Sequence, residues 1–126
     1  MGEKSLKEIG EHIRSVYCPD MEKNIMSVQD ALDVLEGKWK VRIIMAIMKG
    51  NYRFKELLEW NPGLTDKILS QKLKRLMDDE LVVKVNIDSY PPATEYRMTE
   101  HGISLYKVLA ELMAWGEEHR RVVLGK

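Results

Sequence analysis

Lys67, Ser70, Gln71 and Lys74 cluster on one side of a helix drawn through Thr65 to Met77, while Leu69, Leu73 and Leu76 fall on the other. The four polar side chains have the chemistry of a base reader. Gln pairs bidentately with adenine, Lys donates to guanine, and Ser serves a base or a phosphate. Thr65 and Asp66 stand at the start of the segment, where free backbone amides and the positive end of the helix dipole can receive a phosphate. Thr65 serves equally well as an N-cap, and Asp66 as a carboxylate that stabilises the dipole. Any surface helix is polar outside, so the pattern takes its meaning from what surrounds it.

Charge is the first part of those surroundings. The chain of 126 residues has a formal net charge of zero, but its charges are segregated. From Gly37 to Met77 ten basic residues (Lys38, Lys40, Arg42, Lys49, Arg53, Lys55, Lys67, Lys72, Lys74, Arg75) face three acidic ones (Glu56, Glu59, Asp66). The flanking segments are net acidic. A basic middle between acidic ends is the footprint of a neutral domain that offers one face to phosphates. Lys38, Arg53, Lys55 and Arg75 are the candidate phosphate contacts. Solvated lysines would give the same bias without a partner.

The elements that must position these groups follow from periodicity. Leu6, Ile9, Ile13 and Val16 predict an amphipathic helix over Ser5 to Tyr17, ended by Pro19. Ser27 with Asp30 resembles a capping arrangement, which predicts a second helix with Val28, Ala31, Leu32 and Leu35 buried and Gly37 as the stop. Trp39 to Met48 is apolar around most of its circumference and is expected at the centre of the core, closed by Gly50. Tyr52 to Phe54 is a turn or minor strand, Lys55 to Trp60 a short helix, and Asn61-Pro62-Gly63 a strong breaker before the reading helix. Glu80 to Asn86 and Thr94 to Met98 are strands of a hairpin whose loop holds Ser89 and Pro91-Pro92. Thr99 caps one long final helix to about Arg121 with Ile103, Tyr106, Leu109, Leu112 and Met113 as its stripe. The fold class is mainly α with a small β-hairpin. Short helix, tight turn, longer helix and hairpin is the layout of a winged helix-turn-helix with a two- to three-stranded antiparallel wing.

An ordered set of short pieces resembles the HxlR-type winged helix-turn-helix transcriptional regulators, relatives of the MarR regulators. The pieces are Cys18-Pro19, Ala31-Leu32, Gly37-Lys38-Trp39, Arg53-Phe54-Lys55-Glu56-Leu57 and Pro62-Gly63-Leu64-Thr65. They continue through Ile68 to Leu76, Pro91-Pro92, Glu95 to Gly102 and Trp115-Gly116-Glu117, so that the resemblance spans roughly Cys18 to His119. It implies a homodimer joined by its first and last helices, through Leu6, Ile9 and Ile13 and through Tyr106, Leu109, Leu112 and Met113. Two reading helices would then enter successive major grooves of a roughly palindromic site, about one helical turn (about 34 Å) apart. Family members act as repressors or activators, and several respond to electrophiles or oxidants through a cysteine placed like Cys18, the candidate redox sensor here. Two features depart from the pattern. Ala93 stands where members often carry a basic residue, leaving no Lys or Arg between Asn86 and Thr94, and the segment before Cys18 is longer than usual.

The remaining residues exclude other classes. With one cysteine there is no internal disulfide and no thiolate cluster for zinc. His12, His101 and His119 lack a ligand spacing, so no metal or other cofactor is expected. No nucleophile with a base, no phosphate-cradling glycine loop and no carboxylate pair suggests an enzyme. No apolar run is long enough for a membrane span and the first residues are not a signal sequence, which places the chain in the cytoplasm. The expected organisation is 1–24 for dimerisation, 25–98 for the winged helix-turn-helix and 99–126 for a dimerisation helix. Its partners are double-stranded DNA, a second copy and, through the methionines, a small-molecule effector. A winged helix that binds only protein is the alternative, favoured by the uncharged wing and zero net charge.

Overall fold

The computed structural model describes residues 3–17 and 20–125; Cys18 lies outside the described residues. The elements run α1 (Glu3–Tyr17), α2 (Met21–Leu35), α3 (Lys40–Lys49), α4 (Phe54–Trp60), α5 (Asp66–Asp78), β1 (Val82–Ile87), β2 (Ala93–Met98), α6 (Glu100–Ile103) and α7 (Leu105–Leu124). This is the expected mainly helical architecture with one hairpin. The chain divides into two compact units at Glu36/Gly37.

The first unit is the helix pair α1 and α2. Leu6, Ile9, Ile13 and Val16 share one face of α1 and are exposed. In α2 the capping expectation fails. The helix starts at Met21, so Ser27 lies inside it and its hydroxyl donates to the Lys23 carbonyl at 3.1 Å. Met21, Ile25, Val28 and Leu32 continue one helical stripe, and nothing between them breaks the backbone ladder. The expected burial of Val28, Ala31, Leu32 and Leu35 also fails. Val28 and Leu32 are 59% and 57% exposed, Ala31 is exposed and Leu35 half-buried, because a pair of helices has no third layer to close over both stripes.

In the second unit the core is built on α3, whose Ile43, Ile44, Ala46 and Ile47 are buried as its all-round apolar character requires. Gly50 ends it in a left-handed conformation, φ 115°. Leu57 from α4, Leu69, Leu73 and Leu76 from α5, and Leu81 and Val82 entering β1 complete the interior. Leu109 joins them at 5% exposure. It is therefore a core residue, and its expected place in a subunit interface is withdrawn. Lys40, one of the ten basic residues between Gly37 and Met77, is 3% exposed and leaves the outer face.

Strands β1 and β2 pair antiparallel, with Val82 opposite Met98, Val85 opposite Glu95 and Ile87 opposite Ala93. Tyr52, which lies in no strand, adds one backbone hydrogen bond to β2, its carbonyl accepting from the Tyr96 N–H at 2.7 Å, and the sheet stays two-stranded. The base of the hairpin is tied to the start of α6. The Thr99 N–H donates to the Leu81 carbonyl at 3.0 Å, and its hydroxyl donates to the Glu80 carbonyl at 2.6 Å while accepting from the Gly102 N–H at 2.8 Å. Thr99 thus caps α6 only. The single long helix expected from it is broken at Ser104, whose N–H is shared between the Glu100 and His101 carbonyls, and α7 then runs beyond Arg121 to Leu124.

Gly102 passes so close to β1 that a Cβ there would sit 2.1 Å from the Leu81 carbonyl oxygen, whereas a Cβ on Gly116 in α7 would meet nothing within 4 Å. Opposite signs are expected. Gly102→Ala should lose about 1–3 kcal/mol through overpacking against backbone that cannot yield. Gly116→Ala should gain about 0.5–1 kcal/mol by restricting the unfolded chain. Urea midpoints at unchanged slope measure both.

Candidate nucleic-acid interface

The geometry of the candidate site is set before α5 begins. Trp60 closes α4, and the next residue, Asn61, is 2% exposed. Its side-chain amide donates to the Leu57 carbonyl at 2.8 Å, its side-chain oxygen accepts from Arg42 Nε at 3.2 Å, and its backbone carbonyl accepts from the Leu64 N–H at 2.9 Å. A buried amide satisfied on both ends holds the turn to α4 on one side and α3 on the other. Gly63 takes φ 94° in that turn, and Trp39 reaches within 3.8 Å of where its Cβ would stand. Arg42 thus has a structural duty that its charge alone did not disclose.

Thr65 then caps α5, its Oγ1 accepting from the Ile68 N–H at 3.2 Å, and Asp66 occupies the first turn. The N-cap reading of Thr65 is the one the geometry bears out. Leu69, Leu73 and Leu76 are buried, and Thr65, Asp66, Lys67, Ser70, Gln71 and Lys74 are all exposed. The helix therefore brings the four expected base-facing side chains together on its outer surface. Lys74 lies 3.3 Å from Asp78 and Arg75 3.9 Å from Asp79, both one turn along. Such solvated pairs hold a side chain by no more than about 1 kcal/mol and yield to a better partner.

Of the expected phosphate contacts, Arg75 is on α5 itself and the other three lie on other elements. Arg53 stands at the N-cap of α4, its N–H donating to Glu56 Oε1 at 3.0 Å, which leaves the exposed guanidinium without any hydrogen bond among the described residues. Lys55 is exposed one position into α4. Lys38 precedes α3 with its ammonium 4.7 Å over the Trp39 ring. At the wing tip Tyr90 is fully exposed, and the Ser89 hydroxyl donates to the Pro91 carbonyl at 2.8 Å. The wing's cations are on its strands, where Lys84 and Arg97 were not singled out from sequence. Arg97 lies with its guanidinium 3.6 Å from the centre of the Tyr52 ring and donates to Glu95 at 2.8 and 3.0 Å. The Glu-x-Arg alternation on one strand was the available signal, since residues two apart share a face.

Asn61→Ala should cost about 1–3 kcal/mol, because it strips Arg42 of a partner and loosens the turn. Thr65→Ala should cost about 1 kcal/mol and Thr65→Ser much less, since only the hydroxyl caps. Equilibrium urea unfolding distinguishes the three.

Comparison with known proteins places this arrangement. The family model described as HxlR-like helix-turn-helix matches residues 34–123. The HTH-type transcriptional regulator YodB of Bacillus subtilis is 34% identical over 104 residues, 82% of this chain and 87% of the relative. The uncharacterized HTH-type transcriptional regulator YtcD of the same species is 36% identical over 106 residues, 84% of each chain. The solved structure of the redox regulator HypR in its reduced form superposes with a TM-score of 0.71 at 32% identity, covering 79% of this chain and 99% of that one. These relatives are regulators rather than enzymes. The protein belongs to the HxlR-like helix-turn-helix family of transcriptional regulators.

Proposed function

We propose that the protein is a sequence-specific DNA-binding transcriptional regulator of the cytoplasm, acting as a homodimer on a roughly palindromic operator. The observation that carries the reading is the outer face of α5, where Lys67, Ser70, Gln71 and Lys74 stand exposed opposite a fully buried leucine stripe. Thr65 and Asp66 lie at its start, where backbone amides meet a phosphate. Lys38, Arg53, Lys55 and Arg75 supply the sequence-independent attraction. The wing tip contributes little, having no cation.

Dimerisation is supported by the apolar side chains that a single copy leaves open. Leu6, Ile9 and Ile13 on α1 are exposed, as are Tyr106, Leu112 and Met113 on α7. Apolar stripes left open in this way mark candidate interfaces between copies. Response to oxidants or to a small molecule is supported by the relatives, whose solved forms include oxidised HypR and diamide-treated and quinone-bound YodB. Cys18 is the single thiol available for such a response.

Fragments selected on the purified protein should yield a two-fold site bound more weakly as salt rises. On that site Lys67→Ala or Gln71→Ala should cost about 1–3 kcal/mol and relax base preference, while Arg53→Ala weakens all duplexes alike. Unchanged affinity in both classes would remove α5 from the interface. Loss of binding under oxidant should disappear in Cys18→Ser; its persistence there assigns the response to other residues.

A further inference from the structure

Beside the hairpin is a cleft of about 330 Å³, within the range of small-ligand sites, that the DNA-binding reading does not use. Ile47 and Met48 come from the end of α3, Tyr52 from the segment after it, Arg97 and Met98 from β2, and Tyr106 from the start of α7. Ile47 is wholly buried and forms fixed floor, whereas Met48 and Met98 are half-buried thioethers that adapt to the shape of a guest. The walls are apolar or aromatic, and Arg97 is the one charged group among the lining residues.

The state of Arg97 selects the chemistry of the guest. Its guanidinium lies over the Tyr52 ring, 3.6 Å from its centre, and two of its N–H groups go to one oxygen of Glu95. A guanidinium carries five N–H donors, so three remain, while its charge is already balanced by the Glu95 carboxylate. A carboxylate brought to the free edge would find the charge already balanced by Glu95 and would leave a net negative charge in an apolar cleft. A neutral carbonyl would take a free donor without that cost.

We propose that this cleft binds a flat, uncharged aromatic compound bearing a carbonyl acceptor, its rings among Tyr52, Met48 and Met98 and its oxygen on the free edge of Arg97. The proposal deepens the small-molecule response of the proposed function and rests on that reading only for its regulatory meaning. The cleft spans β2 and the entry to α7, so a guest would bear both on the strand of the wing and on the helix proposed to join subunits.

The test uses the full-length protein without DNA, so its result is independent of operator binding. With the eight methionine methyls labelled with carbon-13, 2-acetylnaphthalene serves as probe because it offers a neutral ketone on a flat ring system and has no site for thiol addition. Saturable shifts are expected at Met48 and Met98, assigned by Met→Leu substitution. Arg97→Met, which removes the donor and keeps an apolar stem, should weaken binding by about tenfold. The anion 2-naphthoate should bind at least about tenfold more weakly than the ketone. Ile103→Trp, an exposed position at the mouth of the cleft, should abolish the shifts while leaving the other methionine signals native. Absence of saturable shifts, shifts centred on other methionines, or binding untouched by Ile103→Trp would overturn the site. Equal or tighter binding of 2-naphthoate, or no loss in Arg97→Met, would overturn the assigned ligand chemistry.

Discussion

Burial of Leu69, Leu73 and Leu76 is the constraint on which the candidate interface depends. Each fully buried leucine contributes about 1.5–3 kcal/mol relative to exposure, so the stripe fixes the rotation of α5 far more firmly than any polar contact on its surface. Turning the helix by one residue would swing the stripe through about 100° and carry charged side chains into the core. Lys67, Ser70, Gln71 and Lys74 need no bonds of their own to be held outward. That leaves them free for a partner, and the weak Lys74–Asp78 pair is consistent with such freedom.

Rotation alone does not place a helix; its two ends must be held as well. At the N-terminal end the work falls to Asn61, whose buried amide joins the turn to α4 and, through Arg42, to α3. Past the C-terminal end the chain passes through Glu80 at φ 60° before entering β1, and the carbonyls of Glu80 and Leu81, just ahead of the strand, accept from Thr99. One threonine thereby fastens the start of β1, the end of β2 and the first turn of α6. Gly102 is required there because its own backbone supplies the packing surface against Leu81. The helix that faces outward is framed by contacts that bury polar groups without leaving them unpaired, which lends rigidity to a site whose outer side chains are exposed.

What could be read from the sequence was whatever a single periodicity or a single breaker determines. The leucine stripe, the Asn61-Pro62-Gly63 turn, Gly50 and the hairpin around Pro91-Pro92 each act locally, and the structure keeps all of them. The misreadings came where a local signal competed with a longer pattern. Ser27 with Asp30 is a sound cap in isolation, but the stripe through Met21 and Ile25 overrides it. Thr99 does cap a helix, yet nothing in the residues around Ser104 marks the break. Leu109 shares its periodicity with Tyr106 and Leu112, and only the packing decides that it turns inward while they stay out. The bond from Arg42 to Asn61 and the stack of Arg97 on Tyr52 join residues 19 and 45 positions apart, a separation to which no window of sequence is sensitive.

The same distinction bears on the charges. The basic excess between Gly37 and Met77 is real, but its members do different things: Lys40 is buried and Arg42 braces the turn, while Lys38 stays exposed beside Trp39. What remains turned outward is concentrated on α4 and α5, while the wing tip has no cation and ends in an exposed Tyr90. In the proposed complex the electrostatic attraction is therefore confined to the helix-turn-helix and falls away toward the hairpin. Phosphate contacts orient a protein without reading sequence, and in the proposed complex they would surround the helix that carries Gln71 and Lys67. Discrimination between sites then rests on α5. On that proposal the hairpin, tied at its base through Thr99 and bordered by the cleft at Arg97, would be a structural lever rather than a second reading head.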